Sequence, residues 1–257
     1  MTTALITGAS SGIGAEYARR LAVRGHNLVL VARATERLEN LATELRSAHA
    51  VDIEVITADL TENTQLEQVI QRLQDGPFID ILVNNAGAGL AGGFAEAEPA
   101  KMQNLLQLNV VAPTLLASAA VKAMVKEGHG SVINIASVLA LLPEYSQGIY
   151  AATKSYVLTL SQSLASELNA RDIYIQAVLP AATRTEIYER IGADISNVPD
   201  VMEVEELVNA ALIGFDRQEL VTIPPVPDIE EWNAFEHARM LLAQGFSNSR
   251  AAARYSN

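Results

Sequence analysis

Short runs of β-branched and aliphatic residues alternate along this chain with longer stretches of helical period. The runs Ala4–Thr7, Leu28–Ala32, Ile53–Thr57, Ile79–Val83, Val132–Ala136, Ile173–Leu179 and Leu220–Ile223 are predicted strands. Several are apolar on both sides, as in IDILVNN and SVINIA, which suits strands covered on both faces of a parallel sheet. Helical period predicts helices over 13–24, 35–48, 62–74, 101–127, 150–169 and 203–214. This alternation predicts a parallel sheet with helices over it, and right-handed crossovers gather the strand carboxyl ends on one ligand-binding edge. Residues 181–202 break the pattern and are predicted as a loop. From Pro224 the chain reads PPVPD, then one more helix around 229–243, then a small polar tail. The expected division is therefore one domain, 1–223, with a C-terminal appendage, 224–257. The appendage could cover or create an interface, or lie over a substrate mouth through Trp232 and Phe235; the sequence leaves these open.

Composition narrows the class. Of 257 residues, 49% are hydrophobic and 19% charged, enough to build a large core and to exclude disorder as the main state. The formal net charge of −12 argues against a phosphate-backbone binder, so no nucleic-acid partner is expected. No cysteine is present, which removes disulfides, thiolate metal sites and thiol nucleophiles and fits a reducing compartment. The four histidines show no metal spacing, and Glu230, Glu231, Glu236 and His237 read as a solvated face; no metal is expected. No uninterrupted apolar run reaches the ~18–20 residues of a membrane span. MTTALITGAS lacks a basic region before an apolar stretch, so a soluble cytoplasmic protein is expected.

The first strand runs into Thr7-Gly8-Ala9-Ser10-Ser11-Gly12-Ile13-Gly14, and a helix follows. Glycines there permit a sharp turn or the close approach of a pyrophosphate to a helix N-terminus. Strand two ends Leu30-Val31-Ala32-Arg33. It lacks the carboxylate that would accept a ribose 2′-hydroxyl, and the Arg33 fork matches a 2′-phosphate. NADP(H) is expected over NAD(H). Farther on, Tyr150 and Lys154 lie one helical turn apart on one face. An ammonium beside a phenol is expected to lower its pKa from ~10 and to suit it for proton exchange near neutral pH. Ser137 and Asn84-Asn85-Ala86-Gly87 follow strands that end on the same sheet edge.

Taken together, Thr7-Gly8-x-x-x-Gly12-x-Gly14, Asn84-Asn85-Ala86-Gly87, Asn109, Ser137 and Tyr150-x-x-x-Lys154 resemble the short-chain dehydrogenase/reductase family, in order and spacing, over about residues 3–223. The resemblance implies a single-domain α/β doubly wound Rossmann-type fold with a seven-stranded parallel sheet and helices on both faces. It implies an oxidoreductase that moves a hydride between NADP(H) and a carbonyl or secondary alcohol. Tyr150 would be the acid or base, Lys154 would lower its pKa and hold the nicotinamide ribose, Ser137 would bind the substrate oxygen, and Asn109 would hold a relay water. Gly8, Ser10, Ser11, Gly12, Ile13 and Gly14 would form the phosphate loop. Arg33 would meet the 2′-phosphate, Asp59 and Leu60 the adenine, Asn85, Ala86 and Gly87 the adenosine ribose, and Pro180 and Thr185 the nicotinamide. The family usually has Pro-Gly where this chain has Pro180-Ala181, and alanine does not cheaply take positive φ. The segments 88–94, 138–145 and 182–195 would face substrate. The first two are largely apolar, favouring a neutral or lipophilic carbonyl compound such as an oxoacyl chain, a ketosteroid-like ketone or an aromatic ketone. Arg184 or Arg190 could meet a carboxylate or an acyl-carrier phosphate, but both read first as solvent-facing. A homodimer or homotetramer is expected, with the long helices 101–127 and 150–169 at the interface. A non-catalytic dinucleotide-binding sensor or partner module is the alternative, disfavoured by the complete Asn109, Ser137, Tyr150 and Lys154 set.

Overall fold

A computed structural model describes residues 2–90, 92–145 and 148–255. Its strands are β1 (Thr3–Thr7), β2 (Asn27–Ala32), β3 (Ile53–Thr57), β4 (Ile81–Asn84), β5 (His129–Ile135), β6 (Asp172–Val178) and β7 (Val221–Thr222). They form one sheet in the order β3-β2-β1-β4-β5-β6-β7, and every pairing is parallel. The order reverses between β1 and β4, the switch point at which ligands bind in doubly wound sheets.

Alternation along each strand sorts side chains between two cores. Ala4, Ile6, Leu28 and Leu30 join the helices α1 (Gly12–Val23), α2 (Thr35–Ala48) and the later α8 (Val204–Asp216) on one face. Leu5, Val29 and Val31 join α3 (Asn63–Asp75), α5 (Ala112–Glu127) and α6 (Tyr150–Leu168) on the other. Leu5, Leu28 and Leu30 are almost wholly buried, each contributing about 1.5–3 kcal/mol of transfer free energy.

Helix α4 (Pro99–Leu106) runs through a π-helical turn, Gln107–Val111, into α5. Pro113 has no N–H to return to the carbonyl of Asn109 four residues earlier, which accounts for the widened turn. The sequence expectation about membrane spans needs correction here. Pro99–Glu127 is long and apolar enough to cross a membrane by length and composition, with a mean hydropathy of 1.6 over 18 residues. Counting uninterrupted apolar runs misses it. In the fold, Leu116, Ala117, Ala120 and Met124 of this stretch are buried in the sheet-facing core.

The 181–202 segment is more ordered than a plain loop. It holds the short helix α7 (Ile187–Arg190), a 3-10 turn at Ile195–Asn197 and a bridge between Thr183 and Met202. The chain divides into two compact units, Met1–Pro224 and Pro225–Asn257. The second contains α9 (Ile229–Leu241), in which no residue is buried.

Candidate active site

The glycine loop leaves β1 at the switch point. Gly8 and Gly12 sit at φ 67° and 53°, a region side chains rarely adopt. A Cβ on Gly8 would lie 2.7 Å from Asn85 Nδ2. That amide donates to the Thr7 carbonyl at 2.8 Å, and the backbone N–H groups of Asn85 and Ala86 both donate to Thr7 Oγ1 at 3.0 Å. Asn85 therefore spends its side chain bracing the loop. Ser11 stands at the N-cap of α1 and its side chain makes no capping bond, leaving the first helical N–H groups free for an anion.

Ser137 follows β5. Its Oγ accepts the Leu139 N–H at 3.1 Å and donates to the Pro180 carbonyl at 3.4 Å. Lys154 donates Nζ to the Ile135 carbonyl at 2.8 Å and stands 5.8 Å from the centre of the Tyr150 ring. Burial lowers the Lys154 pKa to about 8. The sequence expectation for Tyr150 is reversed. Burial pushes its phenol up to about 12, against a hydrogen bond from Ser137 that favours the phenolate, and nearby Tyr188 adds to the rise. Desolvation wins because Lys154 Nζ is engaged with the Ile135 carbonyl, 5.8 Å from the ring centre, rather than with the phenol oxygen. The phenol is thus protonated at neutral pH.

Asn109 is buried in the π-turn. Its Oδ1 accepts the Ala88 N–H and its Nδ2 donates to the Ala88 carbonyl, both at 2.9 Å. Nδ2 also donates to Thr153 Oγ1 at 3.1 Å, and Thr153 donates to the Tyr150 carbonyl at 2.7 Å. Thr153 carries no signal in the sequence beyond its place inside Tyr150-x-x-x-Lys154.

One cavity of about 660 Å³ gathers much of the predicted set: Gly8, Ser11, Gly12, Ile13, Asn85, Ala86, Gly87, Ser137, Tyr150, Lys154, Pro180 and Thr185 all line it. Others lie outside its lining. Asn109 is buried behind Gly87, its Oδ1 3.4 Å from where a Gly87 Cβ would stand. Gly14 is buried in α1, where a Cβ would collide with the Gly8 carbonyl. Leu60 is in the core, and Ser10 is partly exposed. Arg33 stands exposed at the end of β2, 3.6 Å from Asp59. Burial raises the Asp59 pKa, but two hydrogen bonds from Thr61 and the Arg33 charge bring it below the usual value. Ala181 also lines the cavity. Among the described residues only Asp200 and Gln218 combine a side chain with positive φ, so Ala181 fits without that strain. Arg184 pairs with Glu203, while Arg190 reaches the cavity. Among the described residues no group of three or more His, Cys, Asp or Glu could hold a metal ion.

Residues 2–196 match the family model described as short chain dehydrogenase. The chain belongs to the short-chain dehydrogenase family. A short-chain dehydrogenase from Sphingobium yanoikuyae, solved in complex with NADPH, is 50% identical. The match covers 99% of this chain and all of that one, with a TM-score of 0.97. The bulky-bulky ketone specific alcohol dehydrogenase from Comamonas testosteroni is also 50% identical, over 100% and 99% of the two chains, with a TM-score of 0.93. Human 17-beta-hydroxysteroid dehydrogenase type 3 is 33% identical over 82% of this chain and 68% of its own length. In this family member the glycine cradle and the free start of α1 share one cavity with Tyr150 and the buried Lys154, an arrangement that fits a dinucleotide phosphate at one end and proton transfer at the other.

Proposed function

We propose that this protein is an NADP(H)-dependent oxidoreductase that interconverts a bulky, neutral ketone and its secondary alcohol. The observation that carries this reading is the single cavity shared by the glycine loop, Ser137, Tyr150 and Lys154. When bound, the nicotinamide supplies or takes the hydride. Ser137 holds the substrate oxygen. Tyr150, protonated at neutral pH because burial raises its pKa to about 12, donates its proton to that oxygen in reduction. Lys154, charged below about pH 8, stabilises the phenolate left behind. Asn109 positions the Ala88 backbone and, through Thr153, the first turn of α6. Thr185 and Pro180 would hold the nicotinamide end, Arg33 the 2′-phosphate, and Asp59 with the backbone of Leu60, whose side chain is in the core, the adenine.

The substrate class rests on the wall. Leu90, Val138, Leu139, Ile187, Ile191 and Val198 line the cavity, and an apolar lining favours a ligand with large apolar groups. The ketone preference named for the 50% identical Comamonas protein supports the same class. A homodimer or homotetramer is part of the proposal: Leu106, Val111, Leu115 and Tyr156 on the long helices are exposed. A cytoplasmic location fits the cysteine-free composition.

The test is steady-state reduction of a panel running from acetone to ketones with two large substituents, with NADPH and with NADH, repeated on Arg33→Ala. The reading expects kcat/KM at least about tenfold higher for the large ketones and an NADPH advantage that the variant loses. A preference for acetone would overturn the substrate class; equal use of NADH by the unmodified enzyme would overturn the cofactor assignment.

A further inference from the structure

The substrate segment carries a cation toward the glycine loop. Arg190, at the end of α7, lines the cavity and donates Nη2 to Ser11 Oγ at 3.4 Å and to Glu186 Oε2 at 2.7 Å. Glu186 divides its carboxylate. Its other oxygen accepts from Arg37 Nη1 at 2.7 Å, and Arg37 lies in the first turn of α2. One carboxylate thus ties the substrate segment to the helix after β2. Thr185, next in sequence, faces Gly12 so closely that a Cβ there would come within 3.3 Å of its methyl.

We propose that Arg190 is a further cofactor residue, a pyrophosphate ligand supplied by the substrate segment, and that Glu186 and Arg37 position it. The proposal rests on the dinucleotide reading above. Ser11, the residue Arg190 reaches, is the N-cap of α1, where a pyrophosphate is placed by the free helical N–H groups. A guanidinium has five N–H donors in a planar fork, and the contacts to Glu186 and Ser11 both use Nη2. Its remaining donors suit two phosphate oxygens. Glu186 alone at this position would repel a phosphate. Flanked by Arg37 and Arg190 it leaves the triad with a net positive charge. Because the ligand would then bridge α1 and the substrate segment, phosphate binding and ordering of that segment favour each other by linkage.

Fluorescence titration with NADPH and with NADH at equal ionic strength tests this. Arg190→Ala is expected to weaken both about tenfold, since both carry the pyrophosphate, and Arg190→Lys to recover part of the loss. Arg33→Ala is expected to weaken NADPH alone. Glu186→Gln is expected to weaken both by about threefold and to remove NADPH protection of the segment from tryptic cleavage after Arg184 and Arg190. Arg190 is half-exposed at the end of the short helix α7, so its loss does not threaten the core. Both affinities unchanged within about twofold in Arg190→Ala would overturn the proposal, as would loss of NADPH binding alone. Failure of the unmodified protein to bind either dinucleotide would instead remove the reading on which it rests.

Discussion

The floor of the cavity and its wall are held by different physics. On and behind the floor, Asn109, Thr153, Lys154 and Ser137 are buried; Asn109, Lys154 and Ser137 bond backbone of other segments, and Thr153 bonds the Asn109 side chain and the Tyr150 carbonyl of its own helix. An error there leaves a buried polar group without a partner, at about 1–3 kcal/mol. On the wall, Thr185–Arg190 is attached by the exposed or half-exposed charges of Arg37, Glu186 and Arg190. Exposed ion pairs contribute about 0–1 kcal/mol each and weaken with salt. The floor is therefore built to hold one geometry. The wall is held by contacts that respond to charge and salt.

The comparison breaks hardest at Tyr150. Tyr150→Phe keeps the ring in place and removes the proton donor, so reduction is expected to fall by about 10²–10⁴-fold while NADPH binding stays within a few-fold. Retained turnover would move the proton to another group. The pH profile of the unmodified enzyme sharpens the point. Tyr150 stays protonated well above neutrality because burial raises its pKa to about 12. Lys154 loses its charge above about pH 8, also through burial. Reduction requires both protonated, so kcat is expected to be flat below about pH 8 and to decline above it. Oxidation, which starts from the phenolate, is expected to rise with pH instead. A reductive kcat that climbs through pH 9 would remove the assigned role of the Lys154 charge.

Thr153→Val comes next. It keeps the shape of a buried side chain but deletes the bonds to Asn109 Nδ2 and the Tyr150 carbonyl. The expected loss is about 1–3 kcal/mol in urea unfolding, with a smaller fall in kcat/KM than Tyr150→Phe produces. Unchanged stability would show that Asn109 is held by Ala88 alone.

What was legible follows the same division. The strands could be read because burial on both faces leaves uninterrupted apolar runs, and the glycine loop because backbone geometry demands glycine there. Tyr150, Lys154, Ser137 and Asn109 could be found because their spacing is the family pattern. The direction of the Tyr150 shift was not legible: it depends on how far the phenol is desolvated and how far the ammonium stands from it, which spacing does not encode. Nor was the π-turn at Gln107–Val111, although Pro113 marks it. Glu186 joins Arg37 across 149 positions of sequence, and a pair so distant has no local signature. The same holds for Arg190, which reads as a surface cation until the fold carries it to Ser11.

The smallest expected effect is at Ala181. The usual family glycine suggests a backbone that needs positive φ, but Ala181 lies on the cavity without adopting it. Ala181→Gly therefore relieves no strain. It adds freedom to the unfolded chain, and the expected result is a loss of about 0.4–1 kcal/mol in stability with kcat and KM within about twofold. The informative result is the opposite one. A gain in kcat would mean that the working enzyme passes through a geometry alanine resists, placing the Pro180-Ala181 junction with the responsive wall. Unchanged kinetics would place it with the floor, where Ser137 Oγ already donates to the Pro180 carbonyl and the backbone has one conformation to keep.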